Sequence, residues 1–242
     1  MVSSKSITWD WQGRIFHVKV LHSLAGVATQ ILVRNKGTNR CVLMDVGDGI
    51  IRDLLPLQSD FFNNIHTILI THGHFDHMGG LFSLLAFFRM IGRRSKLTIV
   101  CPKDVVEIKG IIQLFKKSYR DSILYEIKLF EISREFVIEG LKVEAFPVQH
   151  RGSLVDGSEL SSIPAVGFIL SAGKDGEKIV YTGDTGYFEK LKDYISNADF
   201  ALIEGTHKGK TSSYHLSIQE AEELGKNAKQ YLIIHKTPSL ER

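Results

Sequence analysis

The sequence predicts a layered α/β protein, and three observations carry that prediction. Apolar runs of strand length alternate with segments of helix length along the 242 residues. Apolar side chains make up 43% of the chain, which is ample for a large core. His and Asp residues stand at the ends of several strand-like runs, where an α/β fold gathers distant side chains along one rim of its sheets.

Strand signals open the chain at Ile15–Val20, Gln30–Val33 and Cys41–Val46, the third running into Asp45-Val46-Gly47-Asp48-Gly49. A helix is expected over about Ile50–Phe61, then a strand over Ile65–Ile70 and an apolar helix over Leu81–Ile91. Strand Lys96–Cys101 precedes a helix over Val105–Tyr119, with Pro102 at its entrance, where proline is tolerated. Leu141–Val148, Ala165–Leu170 and the short Ile179–Val180 read as strands, Phe188–Ile195 as a helix and Phe200–Ile203 as a strand. Ser217-Ile218-Gln219-Glu220 has the form of a capping box, opening a last helix that turns Ala221, Leu224 and Ala228 toward a core. Tyr231–Ile234 closes the pattern as a strand.

Length and composition fit one domain over residues 1–242, with no linker, repeat or low-complexity tract. Met1 to Trp11 is polar and lacks an apolar signal core, and Leu81–Ile91 is too short to span a bilayer and is interrupted by Arg89. Cys41 and Cys101 sit in apolar strand contexts and read as buried free thiols, so a cytoplasmic location without membrane contact is expected. The net charge of +3 says little by itself, but residues 89–120 carry nine Lys or Arg against two acidic residues. Arg89, Arg93, Arg94, Lys96, Lys109, Lys116, Lys117 and Arg120 would form either a basic rim that attracts a polyanion or ordinary solvated helix faces.

The run Thr71-His72-Gly73-His74-Phe75-Asp76-His77-Met78-Gly79-Gly80 places three imidazoles and a carboxylate within six residues, directly after a strand. Neutral imidazole is the commonest protein ligand for zinc and carboxylate oxygen a good companion, so the run is a metal site, better suited to two adjacent ions than to one. His150, Asp184 and His235 follow downstream, each at the end of a strand-like run.

The run resembles the HxHxDH signature of the metallo-β-lactamase superfamily, and His150, Asp184 and His235 match the rest of its pattern. The resemblance implies a four-layer αββα sandwich, two mixed β-sheets flanked by helices. It also implies that His72, His74 and His150 hold one metal ion, that Asp76, His77 and His235 hold a second, and that Asp184 bridges them. Two Zn²⁺ ions suit such a donor set, and Mn²⁺ or iron would fit the same ligands. A hydroxide shared by the two ions would be the nucleophile of a hydrolase.

Within the superfamily the chain resembles the ribonuclease Z and phosphodiesterase branch. Asp45-Val46-Gly47-Asp48-Gly49 is similar to its DxGxG turn, and Asp76-His77-Met78-Gly79-Gly80-Leu81 to its DHxxGL exit. Glu204-Gly205-Thr206 and His215-Leu216-Ser217 resemble its Glu-Ala-Thr and His-Ser-Thr pair, with Gly205 in place of alanine and Leu216 in place of serine. By that resemblance His215 protonates the leaving oxygen, Glu204 orients it, and Asp76 holds the second ion and the attacking water. The exosite arm usual in the branch is missing, because His150 and Asp184 are only 34 residues apart. Expected substrates are phosphodiesters: the 3′ end of an RNA, or a small or cyclic diester. The competing reading is acyl hydrolysis of a lactone, thioester or β-lactam on the same metal site, and a third is an inactive binding scaffold. Branch relatives are often dimers, and the apolar helix Leu81–Ile91 would suit a homodimer.

The remaining candidates are weaker. His17, His22 and His66 lie outside every motif and read as ordinary strand or loop residues. His207 opens His207-Lys208-Gly209-Lys210-Thr211, which reads as an exposed loop or as a segment that overhangs the site and touches a phosphate. Ser153 and Ser158 do not suggest a nucleophile, and Tyr187 either faces substrate or starts a helix as a core aromatic.

Overall fold

The computed structural model describes residues 8–57, 60–132, 135–138, 140–153, 159–172, 176–209 and 212–238, and Ser158, Lys210 and Thr211 lie outside them. Two compact units divide the chain at Glu131/Ile132.

The N-terminal unit runs β1 (Trp9–Gln12), β2 (Phe16–Leu24), β3 (Ala28–Asn35), β4 (Cys41–Val46), α1 (Ile50–Leu54), α2 (Asp60–Asn64) and β5 (Ile65–Leu69). It continues through α3 (Phe75–Met78), α4 (Leu81–Met90), β6 (Leu97–Pro102), α5 (Val106–Tyr119) and β7 (Ile127–Ile132). The seven strands form one sheet in chain order. From β1 to β4 the pairing is antiparallel. From β4 to β6 it turns parallel. Parallel neighbours need crossover connections, and the helical segments between these strands supply them. Strands β4 and β6 are buried at every position, which is why they read as continuous apolar runs without alternation.

The core of this unit follows from helical spacing. Leu81, Leu84, Leu85 and Phe88 recur along one stripe of α4, and Ile108, Ile112 and Phe115 along one stripe of α5. Both stripes pack with Ile68, Ile70 and Ile99 of the sheet. At the end of α4 only Met90 and Ile91 keep large apolar side chains exposed. The single helix expected over Ile50–Phe61 is instead two short ones, α1 and α2, separated around Pro56. Proline has no N–H to continue the hydrogen-bond ladder and its ring crowds the preceding turn, so the first helix ends with Leu55 as its C-cap, directly ahead of Pro56.

The basic stretch is largely committed to this unit's own structure. Arg93 is only 1% exposed and donates to the carbonyls of Phe62, Ile65, Ser95 and Lys96 at 2.6–3.1 Å. Its guanidinium lies over the Phe88 ring, 4.7 Å from the centroid. Arg89 lies over Tyr119, and Lys109 pairs with Glu131 at 2.8 Å. Arg93 therefore belongs to no surface rim. Cys41 and Cys101 are buried free thiols, pushed up by burial to about 11 and about 12 respectively.

The C-terminal unit runs β8 (Glu135–Ile138), β9 (Leu141–Pro147), β10 (Arg151–Ser153), β11 (Glu159–Ser162), β12 (Val166–Ala172) and β13 (Lys178–Tyr181). It ends with α6 (Leu191–Ile195), β14 (Phe200–Glu204), α7 (Ile218–Gly225) and β15 (Tyr231–Ile234). Its six-stranded sheet has the order β15-β14-β13-β12-β9-β8, and β10 and β11 form a separate hairpin. Pairing is antiparallel from β8 to β13 and parallel across β13, β14 and β15. The capping box is complete: Glu220 N–H donates to Ser217 Oγ at 3.2 Å and Ser217 N–H to Glu220 Oε2 at 2.8 Å. That cap aims Ala221 and Leu224 at Ala201, Ile203 and Ile233 in the core, with Ala228 packed beside them. The other expected helix starts at Leu191 instead of Phe188. Among the described residues no helix is long and apolar enough to cross a membrane.

Candidate metal centre

In the N-terminal unit the candidate ligands all follow the carboxyl end of β5, which pairs in parallel with β4. His72 and His77 are fully buried and Asp76 nearly so, while His74 is half-buried at the N-cap of α3. The rings of His72 and His74 have centroids 4.7 Å apart, those of His72 and His77 4.2 Å. His77 Nε2 lies 3.8 Å from Asp76 Oδ2, and that same oxygen accepts from Gly26 N–H at 2.8 Å.

Two glycines make this cluster compact. A β-carbon at Gly47 would lie 2.4 Å from the Asp76 carbonyl oxygen, and one at Gly80 2.4 Å from the Gly47 carbonyl oxygen. Only glycine lets the turn after β4 touch the turn that carries the ligands.

Asp45 is the residue the sequence reading left without a role. It is fully buried, with φ at 57°, in the left-handed region that costs an ordinary residue about 1–2 kcal/mol. Its carboxylate accepts from Thr71 N–H and Thr71 Oγ1, both at 2.8 Å, and from His77 Nδ1 at 2.7 Å. A lone carboxylate ending an otherwise apolar buried strand was the available signal.

In the C-terminal unit His150, Asp184 and His235 follow β9, β13 and β15, and Glu204 ends β14. His150, Asp184 and His215 bring ligand-type atoms within 4.8 Å of one another, as do Glu204, His215 and His235. Glu204 is fully buried and accepts four hydrogen bonds: His215 Nδ1 at 2.9 Å, Thr185 N–H at 2.8 Å, Thr206 Oγ1 at 2.8 Å and Thr206 N–H at 3.1 Å. His215 Nδ1 also lies 3.9 Å from Asp184 Oδ2. His235 has φ at 56°, and its Nδ1 lies 3.0 Å from Thr206 Oγ1 and 3.5 Å from Asp184 Oδ1. Thr185 and Thr206 were not anticipated as positioning residues.

The hydrogen bonds fix tautomers that suit a metal. His77 Nδ1 faces the Asp45 carboxylate, and His150 Nδ1 faces the Tyr214 carbonyl at 3.0 Å, so each must carry its proton there. Thr71 donates its hydroxyl proton to Asp45, so His72 Nδ1, 3.0 Å away, is the donor to Thr71 Oγ1. With Nδ1 the donor in each, Nε2 is the nitrogen left to offer a lone pair to an ion. A carboxylate or carbonyl on the far nitrogen is the arrangement that orients metal-binding histidines. The donor set therefore fits a divalent ion.

His17 and His22 lie on β2 and His66 on β5, outside both clusters, with His17 bonded to Asp10 at 2.6 Å. His207 is half-buried, with its ring 5.7 Å from that of His215, so it is not a free-standing loop residue. Tyr187 is 51% exposed and no core aromatic. The two departures from the resembled motif have a packing reason: a β-carbon at Gly205 would lie 2.4 Å from Ile233 Cγ2, and Leu216 is fully buried in the core.

Mixed sheets flanked by helices, with His and carboxylate side chains clustered where strands end, define the class as an α/β protein with a candidate metal centre. A Beta-lactamase superfamily domain matches residues 40–235, and the chain belongs to that superfamily. It is 30% identical to Ribonuclease Z of Thermococcus sibiricus, over 81% of this chain and 77% of that one. Ribonuclease Z of Clostridioides difficile is 25% identical, over 88% of this chain and 83% of that one. The crystal structure of human tRNase Z, short form, superposes with a TM-score of 0.73 at 23% identity, covering 91% of this chain and 92% of that one. The fold is the metallo-β-lactamase fold, and the chain is a hydrolase of the ribonuclease Z-like, phosphodiesterase branch.

Proposed function

We propose that the chain hydrolyses phosphodiester bonds, in an RNA near its 3′ end or in a small or cyclic diester. The Glu204–His215 hydrogen bond of 2.9 Å is the observation that carries this reading. An alkoxide leaving from phosphorus needs a proton, and imidazole is suited by its pKa to supply one. With its Nδ1 proton held by Glu204, His215 presents Nε2 to the leaving oxygen, donating a proton there as the P–O bond breaks. Glu204 orients the ring through that bond, and its own position is held by Thr185 and Thr206.

The two ligand sets are proposed to serve one dinuclear centre within a single domain. His72, His74 and His150 would hold one ion, Asp76, His77 and His235 the other, and Asp184 would bridge them, with zinc the ion best suited to these donors. Two such ions, when bound, neutralise phosphoryl charge and generate a water nucleophile at neutral pH. Asp76 would also accept a hydrogen bond from that water and so orient it. Names of the relatives support an RNA substrate, and a cytoplasmic homodimer is part of the same proposal.

The test is turnover of bis(p-nitrophenyl) phosphate beside a thioester and a lactone, with metal content measured on the same preparation. Diester turnover with about two transition-metal ions per chain is the expected result. Turnover of an acyl ester without diester cleavage would replace this reading with acyl hydrolysis.

A further inference from the structure

A cavity of about 260 Å³ in the C-terminal unit is lined by His207, Lys208, Lys236 and Thr206, with Ile218 and Pro238 as apolar wall. Its walls are tied down. His207 N–H donates to the Leu216 carbonyl at 3.2 Å and Ile218 N–H to the His207 carbonyl at 2.8 Å, pinning this segment to the start of α7. On the other side Thr237 Oγ1 donates to the Thr206 carbonyl at 2.6 Å.

Charge distinguishes this cavity. Among the described residues no acidic one lines it, and neither Lys208 nor Lys236 takes part in an ion pair. The larger cavity beside Tyr187, of about 440 Å³, is lined by Glu220 and Glu223 together with Lys192, which leaves it net negative. Position matters as much. Thr206 bonds Glu204, and the His207 ring is 5.7 Å from the ring of His215, so the cationic cavity adjoins the group assigned to protonate the leaving oxygen.

We propose that this cavity binds a second phosphoryl group of the substrate, adjacent to the one that is cleaved, with Lys208 and Lys236 as its cationic ligands. The inference rests on the phosphodiesterase reading. It deepens that reading by favouring substrates with a neighbouring phosphate over isolated or cyclic diesters. Contacts of this kind position a backbone without reading its bases.

The test uses dinucleotides with and without a terminal phosphate, at the 5′ or the 3′ end, and compares kcat/KM within each pair. The wild-type enzyme should prefer the better phosphorylated form by about tenfold or more, through KM, the size expected of one charge-assisted contact. Lys236→Ala and Lys208→Ala should each remove most of that preference, and Lys236→Arg should retain it. No wild-type preference, or one unchanged in both alanine variants, overturns the inference while leaving diester hydrolysis standing. If the wild-type enzyme cleaves neither a dinucleotide nor bis(p-nitrophenyl) phosphate, the hydrolytic reading fails separately. Calorimetric binding of inorganic pyrophosphate then decides: affinity lost in the Lys208→Ala/Lys236→Ala double variant supports an anion site, and equal affinity overturns it.

Discussion

Asp45 Oδ2 lies 2.7 Å from His77 Nδ1, with both side chains fully buried. This carboxylate sets the ring's tautomer and its orientation. Asp45→Asn keeps the shape and tolerates the left-handed backbone, yet removes the charge. Affinity for a divalent ion should fall about 10- to 100-fold, read by competition with a chelator of known strength. Unchanged affinity would show that His77 is oriented by packing alone.

Asp184→Ala should lower bound metal from about two ions per chain and abolish most hydrolysis, since the proposed bridging carboxylate offsets repulsion between dications. Full activity with undiminished metal would reject the bridging assignment.

His215→Ala should cost about 10²–10⁴-fold in kcat on alkyl or nucleoside diesters, because a poor leaving group needs its proton. A p-nitrophenyl ester, which departs unaided, should lose far less. Glu204→Gln should give a weaker version of the same contrast. Equal losses on both ester types would make His215 structural or a ligand.

Much of this was legible in the sequence, and what was not has physical causes. The ligand run and the capping box at Ser217 are local signals, written within six and four residues. Strands β4 and β6 declared themselves as apolar runs because both their faces are buried. Strand β1 did not, since Trp9-Asp10-Trp11-Gln12 is an edge strand with almost no buried position. Pro56 ends α1 early within the segment whose apolar spacing reads as one helix. The roles of Asp45 and Thr185 depend on partners 32 and 19 residues away, which no spacing rule exposes. Arg93 misled by its charge: composition counts it as surface, whereas four carbonyls hold it inside.

Arg93→Met should therefore destabilise the fold by about 3 kcal/mol or more, leaving buried carbonyls unsatisfied. Burial already pushes the guanidinium down to about 10, so it is held by its hydrogen bonds against a desolvation cost. For a chain of this size that is a fall in Tm of roughly 6–12 °C by calorimetry. A loss below about 0.5 kcal/mol, typical of exposed sites, would contradict the clamp.

Burial lowers the pKa of His22 and of His66, the latter aided by Arg40 and Arg93. Between the depressed folded value and the unfolded value near 6.5, the unfolded chain binds more protons, so stability rises with pH through that window. It is complete above about 6.5 and lost as pH falls below it. Denaturant unfolding of wild type and the His22→Gln/His66→Gln variant should diverge in pH slope there. Parallel slopes would mean that neither imidazole is titrating on unfolding.

Gly205 and Ile233 divide one small volume between strands β14 and β15. Grafting the alanine of related motifs at position 205 should thus fail alone and succeed when Ile233 is trimmed to alanine. The two positions behave as a single choice of size. Any repacking of this edge of the sheet moves Glu204 and Thr206, the residues on either side of the glycine, and so reaches the proton-transfer pair through the backbone.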